Sequence, residues 1–204
     1  MWEAVTWLWR RPLLRTVALV SAAGDFLFSG IGLIPMVIAR QYMHAPPLAI
    51  GSIFTLAAIG GIVGSLISGR VRKRIGFGKV VIGSEWILAG LYSLLALAPN
   101  PFALGLVRTS MSATVSVSNT VRLSYQLTAV PDALQGRVNS LISVLGYGSL
   151  PLGQALTGIL LQTLGPTATI LGIAVCLALL AAAVTASRHV RNASSEFAAP
   201  ATGM

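Results

Sequence analysis

The sequence predicts an all-α membrane protein of six transmembrane helices, and three observations carry that reading. The 204 residues are 55% hydrophobic and only 9% charged, with a mean hydropathy of +0.81, whereas a soluble domain carries about 25% charged residues. Six apolar segments can be marked at 16–39, 48–69, 80–98, 102–129, 138–164 and 167–187, each near or above the ~20 residues that cross a bilayer as a helix. The cations gather at one set of segment ends. Arg10, Arg11 and Arg15, the five cations of residues 70–79, Arg137, Arg188 and Arg191 make eleven on one side, against Arg40 alone on the other. Under the positive-inside rule this places both termini in the cytoplasm.

The same distribution bears on partners. A formal charge of +9 and a pI near 11.1 would suit a nucleic-acid binder, but such proteins display cations on a patterned soluble surface. Here they flank apolar runs, so the expected partner is the lipid bilayer and not nucleic acid. One cysteine, Cys176, excludes an intramolecular disulfide, and His44 and His189 lie too far apart to suggest a metal site. No cofactor is expected.

Segment one follows Arg10, Arg11 and Arg15, and "TVALVSAAG" has the look of a signal-peptide core with a small-residue cleavage site. The apolar run resumes after Asp25 and continues to Ala39, so the segment reads as a retained span, with 1–15 as an interfacial linker before it. Segments two and three flank "SGRVRKRIGFGKVV", read as the basic loop that anchors the pair at the cytoplasmic face. "PNP" joins segments three and four, "VPDALQGR" joins four and five, and "GP" joins five and six. Residues 188–204 read as a disordered cytoplasmic tail. Pro35 and Pro151 fall inside predicted helices and are expected to kink or unwind them.

The basic stretch resembles a known signature. Gly64, Gly69 and Arg70, followed by "RKRIGFGK" with Arg74, Gly76 and Lys79, are similar to the signature loop of the major facilitator superfamily, where glycines end one helix and a D-R-x-G-R-R-like turn opens the next. Lys73 stands where that signature has Asp. A phosphate-binding loop does not fit "GFGK", because position 73 is Lys and Val80 replaces the Ser/Thr. "VPDALQGRVNSLISVLGYGSLPLGQALTGILLQTLG" resembles the loop and eleventh helix of bacterial drug and siderophore exporters of this superfamily, the enterobactin-exporter and macrolide-efflux group. "LWRRPLLRTVALVSAAGDFLFSG" resembles their central linker and seventh helix. The resemblance implies the C-terminal half of a twelve-helix transporter: six helices arranged as a 3+3 inverted repeat, half of a major-facilitator bundle.

Internal pattern agrees with that repeat. Segments one and four hold the intramembrane charges Asp25, Arg108 and Arg122. Segments two and five hold runs of glycine, and segments three and six are plain. At about 100° per residue, Arg108, Ser112, Ser116, Asn119, Arg122 and Gln126 share one face of segment four, and Ser140, Ser143, Tyr147 and Gln154 share a face of segment five. A charge near the bilayer centre costs roughly 2.5–3.5 kcal/mol on insertion scales, so these faces turn toward a bundle interior or an aqueous cavity. Asp25, Arg108, Asn119, Arg122, Gln126, Tyr147 and Gln154 are therefore the candidate cavity and coupling residues. Two placements stay open for Arg122, the cavity or the cytoplasmic interface, and two roles for Asp25, a proton carrier or a partner for an arginine of segment four. Glu85 is expected to pair with the basic loop.

Three function classes follow. The first is a secondary-active exporter of small amphipathic, drug-like or siderophore-like molecules, coupled to protons through Asp25 and completed by an N-terminal six-helix half or a second copy. The second, an intramembrane enzyme, lacks H-E-x-x-H, G-x-S-x-G or paired carboxylates. The third is a truncated or partner-dependent membrane component that does not itself transport.

Overall fold

The computed structural model describes residues 12–130 and 132–187 and is helical almost throughout. The first helical run comprises α1 (Pro12–Phe28), a 3₁₀ turn (Ser29–Gly32), α2 (Leu33–Val37) and a π turn (Ile38–Tyr42). Then come α3 (Pro47–Arg74), α4 (Phe77–Ala96), α5 (Pro101–Ala129) and α6 (Asp132–Ala186). Residues 1–11 and 188–204, where the sequence places most of the linker and the tail, lie outside the described residues.

Among the described residues, four stretches are long and apolar enough to cross a membrane: Ala18–Tyr42, Pro47–Arg74, Phe77–Ala96 and Leu134–Ala186. At 29 residues α5 has the length, but its mean hydropathy falls short, because its serines, threonines and two arginines dilute the apolar positions. If straight, the 55 residues of α6 would extend about 80 Å, against a hydrocarbon core of ~30 Å. They are not one rod. Gly165 takes φ 77°, ψ 171°, a conformation that favours glycine, and with Pro166 it breaks α6 into legs 132–164 and 166–186.

Several expectations are corrected. The basic stretch is mostly helix: α3 runs on through Arg70, Arg72, Lys73 and Arg74, leaving Ile75 and Gly76 as the turn. Arg and Lys are good helix formers, and cations in a last turn complement the helix dipole. Gly69 therefore does not end the helix. Gly76 sits at φ −60°, ψ 152°, open to any residue. "VPDALQGR" is likewise helical from Asp132, whose carboxylate in the first turn suits a helix N-terminus. Gln135 Nε2 reaches back to Leu127 O (3.1 Å) and Val130 O (3.3 Å), carbonyls at the end of α5. At Asn100 the side chain caps α5 by accepting from Ala103 N (2.8 Å), with Pro101 at the first helical position. Pro35 lies between the 3₁₀ and π turns, as a missing N–H would favour, whereas helical φ/ψ continue through Pro151.

Packing follows from what lipid cannot supply. Leu66 is 72% and Leu179 66% exposed on the bundle's outside, where lipid tails are as apolar as leucine, so helices associate by close contact rather than by burying apolar surface. α3 lies along α5, and the contact depends on small residues: a Cβ on Gly64 would stand 2.8 Å from Ala113 Cα, and one on Gly60 2.9 Å from the Thr109 carbonyl carbon. α4 packs on the second leg of α6 through Leu88, Tyr92, Ile170 and Leu177, with Trp86 Nε1 donating to Thr185 Oγ1 at 3.1 Å. α1 packs on α6 as well, with Gly153 on the first leg against Ser29.

These contacts predict opposite outcomes for one substitution at two glycines. Gly64→Ala forces a methyl into backbone that cannot move aside and should lower stability by about 1–3 kcal/mol. Gly69→Ala, with nothing within 4 Å, should be neutral or gain up to ~1 kcal/mol from helix propensity. Thermal unfolding of the purified variants checks the contrast.

Candidate functional site

At the end of the bundle that carries the basic turn, α1, α5 and the first leg of α6 diverge around a cavity of about 300 Å³. Five of the seven sequence-predicted cavity residues line it: Asp25 from α1, Asn119, Arg122 and Gln126 from α5, and Tyr147 from α6. Ser21 and Ser143 add hydroxyls, while Ala18, Leu123, Ile142 and Leu150 supply apolar wall. The cavity is thus amphipathic, lined by charged and amide side chains together with apolar ones.

Arg122 is held inside the bundle rather than reaching the interface. Its Nη2 donates to Glu85 Oε1 at 2.5 Å and its Nη1 to Ser21 Oγ at 2.9 Å, which ties α5 to α4 and α1. The two side chains of the ion pair are 14% and 4% exposed. Glu85 therefore does not pair with the basic stretch: it is buried among α1, α4 and α5, where an unpaired carboxylate would be costly, and the facing guanidinium compensates it. Sequence reasoning missed this pairing. The available signal was arithmetic, since only Asp25 and Glu85 lie in the apolar segments to balance Arg108 and Arg122.

Asp25 makes no hydrogen bond or ion pair with another described residue and opens onto the cavity, within electrostatic reach of Arg122 and Glu85. Gly146 leaves the space that its carboxylate occupies: a Cβ there would stand 2.8 Å from Asp25 Oδ2. Two carboxylates and one guanidinium together carry a formal charge of −1 in an apolar bundle. Around this group, Gln126 Nε2 donates weakly to Asn139 Oδ1 at 3.4 Å, and Tyr125 stacks on Phe77 with ring centroids 4.3 Å apart.

Two candidates lie elsewhere. Arg108 is fourteen residues from Arg122, about 21 Å along the helix, half-buried beside Tyr92, with its Nε–H buried and without a partner among the described residues. Gln154 is exposed on α6, two turns beyond Tyr147. Of the signature residues, Gly64 serves helix contact, while Arg70, Arg74 and Lys79 are exposed at the basic turn.

Residues 16–203 match the Major Facilitator Superfamily. The chain belongs to that family. It is a multi-pass membrane protein of a transporter family. It is also 27% identical over 183 residues to the multidrug efflux pump Tap of Mycolicibacterium fortuitum, an alignment covering 87% of this chain and 43% of that protein. The chain thus spans less than half the length of the relative it matches. No solved structure matches it.

Charge counting within the site yields a prediction. Arg122→Gln leaves two carboxylates facing each other with no cation and should destabilise by about 3–5 kcal/mol. Arg122→Gln combined with Glu85→Gln removes the buried charge along with its partner and should recover most of that loss, as read from the thermal midpoints of the two variants.

Proposed function

We propose that this chain forms the C-terminal six-helix half of a secondary-active, proton-coupled exporter of small amphipathic molecules in the bacterial cytoplasmic membrane. The observation that carries the proposal is the amphipathic cavity, with an uncompensated carboxylate, on one side of an otherwise apolar helical bundle. Its volume of about 300 Å³ lies at the lower end for ligand pockets. A second bundle laid over the open side would supply the missing wall.

In this reading the first helical run counts as one span, α3, α4 and α5 as one each, and the two legs of α6 as two. The helix pairings support a 3+3 repeat. The second span pairs with the fourth, the first with the fifth, and the third with the sixth as well as with the fourth. Exchanging the two triplets turns the pair 2–4 into 5–1 and leaves 3–6 unchanged, which is the symmetry of an inverted repeat. The small residues follow it too, with Gly64 against Ala113 in one pair and Gly153 against Ser29 in the other. The cation bias favours both termini in the cytoplasm, which makes the cavity open inward.

The charge of the site suggests the coupling. With Asp25 ionised, the net −1 attracts a cationic amphipath from the cytoplasm. With Asp25 protonated, the site is neutral and lets it go. One carboxylate cannot hold a proton and a cation together, so the two exchange, and rocking of one half against the other exposes the site to each side in turn. Similarity to a multidrug efflux pump agrees with substrates of this kind.

Liposomes containing the purified chain, a proton gradient and a lipophilic cation test the proposal. The expected result is saturable cation binding that weakens at least tenfold in Asp25→Asn, with no gradient-driven flux until a complementary six-helix half is present. Flux by single-chain particles, or binding indifferent to Asp25, would show the reading to be wrong.

A further inference from the structure

Beside the cavity lies a second, much smaller and partly open space of about 40 Å³, where Asp25 and Ser21 of α1, Glu85 of α4, and Ser118, Asn119 and Arg122 of α5 meet an apolar wall of Phe28, Leu88, Val115 and Leu177. Two of these residues carry buried polar atoms without a partner among the described residues: the Oγ of Ser118, itself only 3% exposed, and the Nε–H of Arg122. Unpartnered buried polar atoms are rare and call for an occupant. The chemistry of the pair limits what that occupant is. A guanidinium N–H needs a lone pair to accept it, which excludes a metal cation, while the two carboxylates need hydrogens donated to them, which excludes an anion. Water satisfies both demands. A space above ~10–15 Å³ that offers two to four polar partners is large enough to hold it, and here Ser118, Arg122 and the two carboxylates are those partners.

We infer that this chamber holds bound water that joins Asp25 to Glu85 around Arg122, so that the two carboxylates and the guanidinium take up one proton as a single unit. The inference rests on the proton-coupled reading of the site and adds Glu85, Ser118 and the chamber to it. The ionisable groups that face the chamber are Asp25, Glu85 and Arg122; Leu177 is the contribution of α6, and Tyr125 and Tyr147 line the adjoining cavity. A hydronium entering from the cavity gives its proton to a carboxylate oxygen: one O–H bond breaks in the hydronium, one forms on the carboxyl, and water remains. The charge of the unit passes from −1 to 0. Chamber water lets that proton be shared with Glu85, which is itself buried away from the cavity.

Infrared difference spectroscopy of the whole chain in lipid nanodiscs, between neutral and acidic buffer and in ordinary and oxygen-18 water, tests this. The wild type should show one protonated-carboxyl band accompanied by a water O–H stretch that shifts with the heavy isotope. Both should fall at least tenfold in Asp25→Asn and in Glu85→Gln, where a single carboxylate is already neutralised by Arg122. Glu85→Asp should restore both. Ser118→Ala, a mild change that removes one water partner, should keep the carboxyl band and displace the water band. A carboxyl band of wild-type size in Glu85→Gln, or one with no isotope-sensitive water beside it in the wild type, overturns the inference. Intact bands with no flux in any reconstituted assembly would count against the exporter reading while supporting the shared proton.

Discussion

The ion pair between Arg122 and Glu85 is the constraint on which the rest of the site depends. A guanidinium or a carboxylate alone inside an apolar bundle costs several kcal/mol, and a buried pair offsets that cost only where the remaining hydrogen-bonding capacity is also met. Ser21 takes one more N–H of Arg122. Three spans are thereby held at one depth, and the position of Asp25 follows from theirs. Because Arg122 is shared, the second carboxylate carries charge that nothing in the described chain fully balances. A purely structural ion pair has no need of that surplus, whereas the proton-for-cation exchange proposed for this site does.

Around this polar point the fold is built from contact rather than from water exclusion. Large apolar side chains such as Leu66 and Leu179 face outward, while glycine, alanine, serine and threonine mediate the closest helix approaches, as at Gly64 on Ala113 and Gly153 on Ser29. Close backbone approach brings α3 against α5 and α1 against α6, and the same arrangement leaves α1, α5 and the first leg of α6 diverging on one side. That divergence is the cavity. Tight packing at glycines and an open polar face are therefore two consequences of one pairing scheme.

Much of this was legible in the sequence because intramembrane polar residues are few and helical periodicity is simple. Asp25, Asn119, Arg122, Gln126 and Tyr147 stand out on apolar helices, and all five line the cavity. Arg108 and Gln154 share the arcs of Arg122 and Tyr147 but lie beyond it, since a helical wheel records direction and not depth. Glu85 stands nearer in sequence to the basic run than to Arg122, but proximity along a chain says little about which helix faces which, and its partner is Arg122. The basic run has the look of a loop because the apolar pattern stops at Gly69 and charges follow, yet nothing packs on that glycine and the cations after it favour helix. Gly165 with Pro166, by contrast, announces a break that long-range contacts do not alter.

The direct contact between Arg122 and Glu85 is the centre of the site. Solid-state NMR in lipid bilayers can measure the dipolar coupling between the Arg122 guanidinium nitrogens, labelled with nitrogen-15, and the Glu85 carboxyl carbon, labelled with carbon-13. The predicted result is a coupling that corresponds to hydrogen-bond contact between the two groups, with Glu85 carrying the chemical shift of a carboxylate. Absence of that coupling, with Glu85 instead coupled to a cation of residues 70–79, would contradict the account and return Arg122 to the membrane interface.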